Sequence, residues 1–149
     1  MRTAITDRDR GAKAVTKRVE DVRGLVMSVG VHAEAGGENI ENAERHEFGL
    51  GVPQRSFIGA YADANQADVV KRMSAAVAAG LAGKGAGPRQ NLEALALKCA
   101  GEVQAMIAGG IAPPNAPSTI AKKGSSTPLI DTGQLRPSIT GKVEQGGGK

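Results

Sequence analysis

The residues whose types could do chemistry are few: His32, His46, Glu47, Lys84, Cys99 and Asp131. Asp131 opens an Asp131-Thr132-Gly133 tripeptide preceded by Leu129 and Ile130, the pattern found around the catalytic carboxylate of dimeric aspartic proteases. Such an enzyme pairs two aspartates across a dimer so that they share a proton. It buries the pair under a flap and a further layer of strands. Only the short, glycine-rich stretch from Thr132 to Lys149 follows Asp131, which leaves no room for that layer. The expectation is an aspartate that caps a helical turn.

The remaining candidates read the same way. His46 and Glu47 are adjacent, so on a helix they point in different directions, and no His-x-x-x-His pair offers two imidazoles to one zinc. Cys99 falls on the apolar stripe of a helix and reads as a small core residue rather than a nucleophile. As a single cysteine it also excludes an internal disulfide and a cysteine-cluster metal site. Gly83-Lys84-Gly85 looks like part of a phosphate loop, but Lys84 is followed by Gly85 where Ser or Thr is required, and a helix precedes it instead of a strand. No catalytic site, metal or cofactor is expected.

The chain of 149 residues suits one domain, taken as 1–145, with 146–149 a flexible glycine tail. Aromatic residues are 2% of it, so the core must come from Ala, Val, Leu, Ile and Met, which bury less area per side chain. A protein of this kind leans on neighbours for stability. The net charge of +4 comes from basic residues scattered among acids. Stacking aromatics are scarce, so dedicated nucleic-acid binding is disfavoured. A signal peptide and a membrane span are both absent from the expected features, and a reducing interior is the expected setting.

The elements that must position these residues follow from periodicity. Residues 3–20 carry a thin apolar stripe (Ile5, Ala12, Val15, Val19) at near-helical spacing. Leu25, Met27, Val29, Val31 and Ala33 alternate with other residues and predict a strand over 23–33 with one apolar face. After the turn at 35–38, Asn39 or Asn42 is placed to cap a short helix through Ile40, Ala43 and His46 that Phe48 and Gly49 end. Apolar residues over 54–81 recur at helical intervals, as one helix or two. Leu92, Leu95, Ala96, Cys99, Val103, Met106 and Ile107 predict a helix over 90–108. Pro113, Pro114 and Pro117 then argue against regular helix and for an extended arm over about 111–130. Asp131 or Thr132 would cap a turn over 133–136, and Ile139 and Val143 mark a last strand over 138–144, antiparallel to the first. The fold class is α+β: amphipathic helices packed on a small antiparallel sheet, with a long proline-rich arm.

Three segments carry a resemblance. The first is Ala43-Glu44-Arg45-His46-Glu47-Phe48-Gly49 followed by Val52-Pro53-Gln54-Arg55-Ser56-Phe57-Ile58. The second is Ile111-Ala112-Pro113-Pro114-Asn115-Ala116-Pro117-Ser118-Thr119-Ile120, with Lys122-Lys123-Gly124 after it. The third is Pro128-Leu129-Ile130-Asp131-Thr132-Gly133-Gln134-Leu135-Arg136-Pro137-Ser138-Ile139-Thr140. In this order they resemble the virion morphogenesis and tail-completion proteins of Mu-like and related tailed phages. Ser56 stands where that family has a second proline. The family carries Asp-Thr-Gly as the capped turn before its last strand.

The resemblance implies a non-enzymatic subunit of a phage neck, in a closed homo-oligomeric ring of six or a multiple, made in the host cytoplasm and carried in the virion. Its implied partners are the head-tail connector or adaptor, the tail terminator or the tail tube, with non-specific contact to DNA in the channel. Within that frame Phe48, Phe57 and Tyr61 are expected to anchor subunit contacts, because aromatics dominate interface energy. Pro53 and Arg55 of one loop, Pro113, Pro114, Ile120 and Leu129 of the arm, and Arg136 complete the expected interface, the two arginines pairing with carboxylates or lining the lumen. The rival reading is a small basic nucleic-acid-binding protein.

Overall fold

Leu25, Met27, Val29 and Val31 share one side of strand β1 (Leu25–Val31), as alternation requires. β1 pairs antiparallel with β2 (Ile139–Gln145), with Leu25 opposite Gln145 and Val31 opposite Ile139. The computed structural model describes residues 11–83, 85–124, 129 and 134–146. Around this two-stranded sheet run α1 (Ala12–Val22), α2 (Gly37–Phe48), α3 (Ile58–Leu81), α4 (Pro88–Ala108), α5 (Pro117–Lys123) and a single turn, α6 (Leu135–Ser138). The architecture is α+β, mostly helical, with a small antiparallel sheet.

A two-stranded ribbon is marginal in water unless a helix covers one face. Here α4 covers it, packing on both strands, on α3 and on α1. The stripe predicted for this helix is buried: Leu92, Leu95, Ala96, Cys99, Val103 and Ile107 lie inside with Phe57, Leu135, Ile139 and Val143. Two glycines allow the close approaches. A Cβ at Gly141 would sit inside the backbone of Ala96, so β2 can lie flat on α4, and a Cβ at Gly80 would overlap Pro88 where α3 turns into α4.

Several expectations shift. α2 starts at Gly37 rather than at an asparagine cap. Asn39 lies inside it, its side-chain amide donating back to Ala35 O at 2.7 Å, and Gly49 ends the helix in the left-handed conformation. The segment 54–81 is one helix from Ile58. Pro88 starts α4 two residues ahead of the predicted start, because proline at the first helical position lacks only an N–H that would have no partner there. The same physics corrects the reading of the arm: Pro117 opens helix α5, so residues 117–123 are helical where an extended chain was expected. Gly146, assigned to the tail, donates its N–H to Gly24 O at 2.7 Å and continues the sheet. The start of the first predicted helix (residues 3–10), Lys84, arm residues 125–128 and 130, the cap at Asp131 or Thr132, and residues 147–149 lie outside the described residues.

Candidate interaction surface

The first resembling segment folds into a clasp centred on Glu47. Its carboxylate accepts hydrogen bonds from Ser56 Oγ (2.6 Å) and from the backbone N–H of Phe57 (2.9 Å), Ile58 (3.1 Å) and Gly59 (2.9 Å). Residues at a helix start have N–H groups with no partner inside the helix, and a carboxylate there also meets the positive end of the helix dipole. Glu47, at the end of α2, thus caps α3. Partial burial pushes its carboxyl up, but the bonds from Ser56, Phe57, Gly59 and Ile58 outweigh this and hold it below the usual carboxylate range.

Arg55 joins the first segment to the second. Its backbone N–H donates to His46 O at 2.8 Å. Its buried guanidinium donates to Pro113 O (2.7 Å) and Pro114 O (3.3 Å), with Asn115 Oδ1 at 3.5 Å. This corrects the expected role of Arg55: it holds two backbone carbonyls of its own chain instead of a carboxylate or the lumen. Proline carbonyls that no helix or strand uses are natural acceptors for a buried arginine.

Two of the three aromatic anchors are also internal. Phe57 is fully buried and Tyr61 is 9% exposed, both in the main core. Tyr61 donates its hydroxyl to the Glu102 carboxylate, which Arg72 also holds at 2.8 and 3.0 Å. Burial, with help from Cys99 and Glu102, pushes the Tyr61 phenol far above its usual range, while the Arg72 and Tyr61 hydrogen bonds keep the Glu102 carboxyl below its own. The network ties α3 to α4. Leu129, expected in the interface, is buried as well. Phe57, Tyr61 and Leu129 thus serve the core of their own chain and not its surface.

Phe48 is different. It is 66% exposed at the end of α2, and Leu50, which the sequence reading did not single out, is 55% exposed beside it. Between α2, the end of β1 and the start of α3 lies a largely apolar hollow of about 380 Å³ lined by Val31, Ile40, Ala43, Phe48 and Ile58, with Glu44 and Glu47 also in its wall. Pro53, Pro113, Pro114 and Arg136 are exposed, and Ile120 is 36% exposed. Phe48 and Leu50, near this hollow, are large apolar side chains that nothing among the described residues covers.

Among the described residues, the nearest approach to catalytic geometry is Ser28 Oγ, 3.0 Å from His32 Nε2 on the other side of the sheet. A hydrolytic triad needs a third group on the far ring nitrogen, and His32 Nδ1 makes no hydrogen bond among the described residues. No group of three or more potential metal ligands is gathered among those residues either, and no described helix is long and apolar enough to cross a membrane. No protein-family model, curated protein or solved structure matches the chain.

Proposed function

We propose that this chain is a structural subunit of a tailed-phage neck, one copy of a hexameric ring, or of a ring of a multiple of six, that joins or completes the tail at the head during virion assembly. The observation that carries this reading is the meeting of two resembling segments. Arg55 of the first grips the Pro113 and Pro114 carbonyls of the second, and Glu47 of the first caps the longest helix. Motifs that share one clasp have a reason to occur together. The reading needs no catalysis and no cofactor.

The cluster of Phe48 and Leu50 beside its hollow is the ring contact in this proposal, with Pro53, Pro113 and Pro114 exposed on the segments that the clasp joins. Ring closure needs two different patches on each subunit, so the cluster meets another part of its neighbour's surface. The connector or adaptor, the tail terminator and the tube are the proposed neighbours along the axis, and the net charge of +4 suits non-specific contact with channel DNA.

The test is complementation of a phage deleted for this gene by Phe48→Ser/Leu50→Ser. Folded protein that leaves filled heads and tails unjoined is the expected result; full infectivity would sink the proposed contact.

A further inference from the structure

The two strands offer different outer edges. In an antiparallel pair, the backbone groups of alternate residues point to the partner strand and those of the residues between point away. Gly146 N–H bonds Gly24 O, and the register is continuous from there, so the even-numbered residues of β1 bond inward. Leu25, Met27, Val29 and Val31 therefore turn their N–H and C=O groups outward. On β2 the outward residues are Ile139, Gly141, Val143 and Gln145. Side chains of α4 occupy two of their carbonyls: Gln104 Nε2 donates to Ile139 O and Arg89 Nη2 to Val143 O, both at 2.8 Å. Among the described residues no hydrogen bond reaches the outward groups of Met27 and Val29.

β1 also lacks several of the devices that discourage edge pairing. It has no charge, no proline and no bulge between Leu25 and Val31. Below this edge the helical layer continues, because α3 packs beside α4. The space between β1 and α3 is a trough of about 270 Å³ lined by Met27, Val29, Ile58, Tyr61, Val69 and Val70 among others, and no charged side chain among the described residues lines it. A helical layer two helices wide thus underlies a sheet of two strands, and the uncovered part lies beside β1.

We propose that β1 is a docking edge for one extended strand of another protein, added as a third strand over α3, with uncharged aliphatic side chains at alternate positions entering the trough. The open backbone edge specifies an extended partner, and the uncharged trough specifies the side chains. Neither described strand is free to take this place, because β1 and β2 are already paired with each other. A second folded copy would bring its own α3 and α4 into the layer that α3 already fills. The inference stands without the neck reading, since only the partner's chemistry enters it.

The experiment uses the full chain and a labelled peptide, acetyl-Thr-Val-Thr-Val-Thr-Val-Thr-amide, followed by fluorescence anisotropy. Saturable binding is expected. It should weaken at least tenfold when the peptide is N-methylated at every second residue on its pairing edge. It should weaken as much in Val70→Lys, which places a charge in the trough at a residue already 56% exposed. Three results would overturn the proposal: no binding by the parent peptide, equal binding by the N-methylated one, or a dimer of the free protein that Val70→Lys dissociates, which would make the occupant a second copy.

Discussion

Replacing Glu47 tests the clasp most sharply. Its carboxylate serves three otherwise unpartnered N–H groups at the start of α3 and the Ser56 hydroxyl. Loss of a helix cap costs about 1 kcal/mol, and removing a negative charge from the helix N-terminus costs about 0.5–1 kcal/mol more. Glu47→Gln, which also turns an amide NH₂ toward donors, is therefore expected to lose about 2 kcal/mol. Urea denaturation reads this: with a slope of about 1.5 kcal/mol/M, the midpoint falls by roughly 1 M at unchanged slope. The pH dependence has a definite sign. Because the folded protein holds this carboxyl below its usual value, its contribution is full above the unfolded value of about 4.3 and is lost as pH falls through the folded value. The gap between parent and variant should be wide at pH 7 and should narrow progressively as pH falls below about 4.3. A variant within about 0.5 kcal/mol of the parent at pH 7, the range of ordinary surface changes, would refute the reasoning, as would a gap that does not narrow at all as the solution is acidified.

Other substitutions separate core from surface. Phe57→Ala should cost about 3–5 kcal/mol by denaturant titration, whereas Phe48→Ser should stay within about 0.5 kcal/mol of the parent; equal effects would contradict the burial assigned to each. Gly141→Ala drives a methyl group into the Ala96 backbone and should cost about 1–3 kcal/mol, and an unchanged thermal midpoint would show that the sheet can lift off α4. Arg55→Ala frees the carbonyls of Pro113 and Pro114; limited proteolysis should then cut faster between 109 and 117, at a stability cost of about 1–3 kcal/mol. Unchanged cutting would contradict the clasp.

The periodic elements were legible in the sequence because burial writes itself into spacing. The helical stripe over 92–107 matches what is buried, the alternation over 25–31 sets Leu25, Met27, Val29 and Val31 against the core as partly buried side chains, and the last strand returns antiparallel with Ile139 and Val143 buried. Proline was misread where position matters more than identity: Pro88 and Pro117 open helices, which a rule about helix interiors misses. The site was legible only as a location. The sequence marked 43–58, yet the work done by Glu47 and Arg55 depends on partners up to 60 residues away, Asn115 the farthest, and no local pattern shows them. Phe57 and Tyr61 were placed at the surface by an argument from residue type, when scarcity of aromatics draws them into the core. The open edge of β1 was beyond reach, because it depends on how many strands pair and on which carbonyls α4 side chains reach.

The most direct test of the proposed neck role is the mass of the purified protein by light scattering, alone and after mixing with heads and tails from a phage deleted for this gene. A ring of six or a multiple, or a smaller species that joins those particles and restores infectivity, is the expected result. A protein that stays monomeric and leaves heads and tails unjoined would contradict the role.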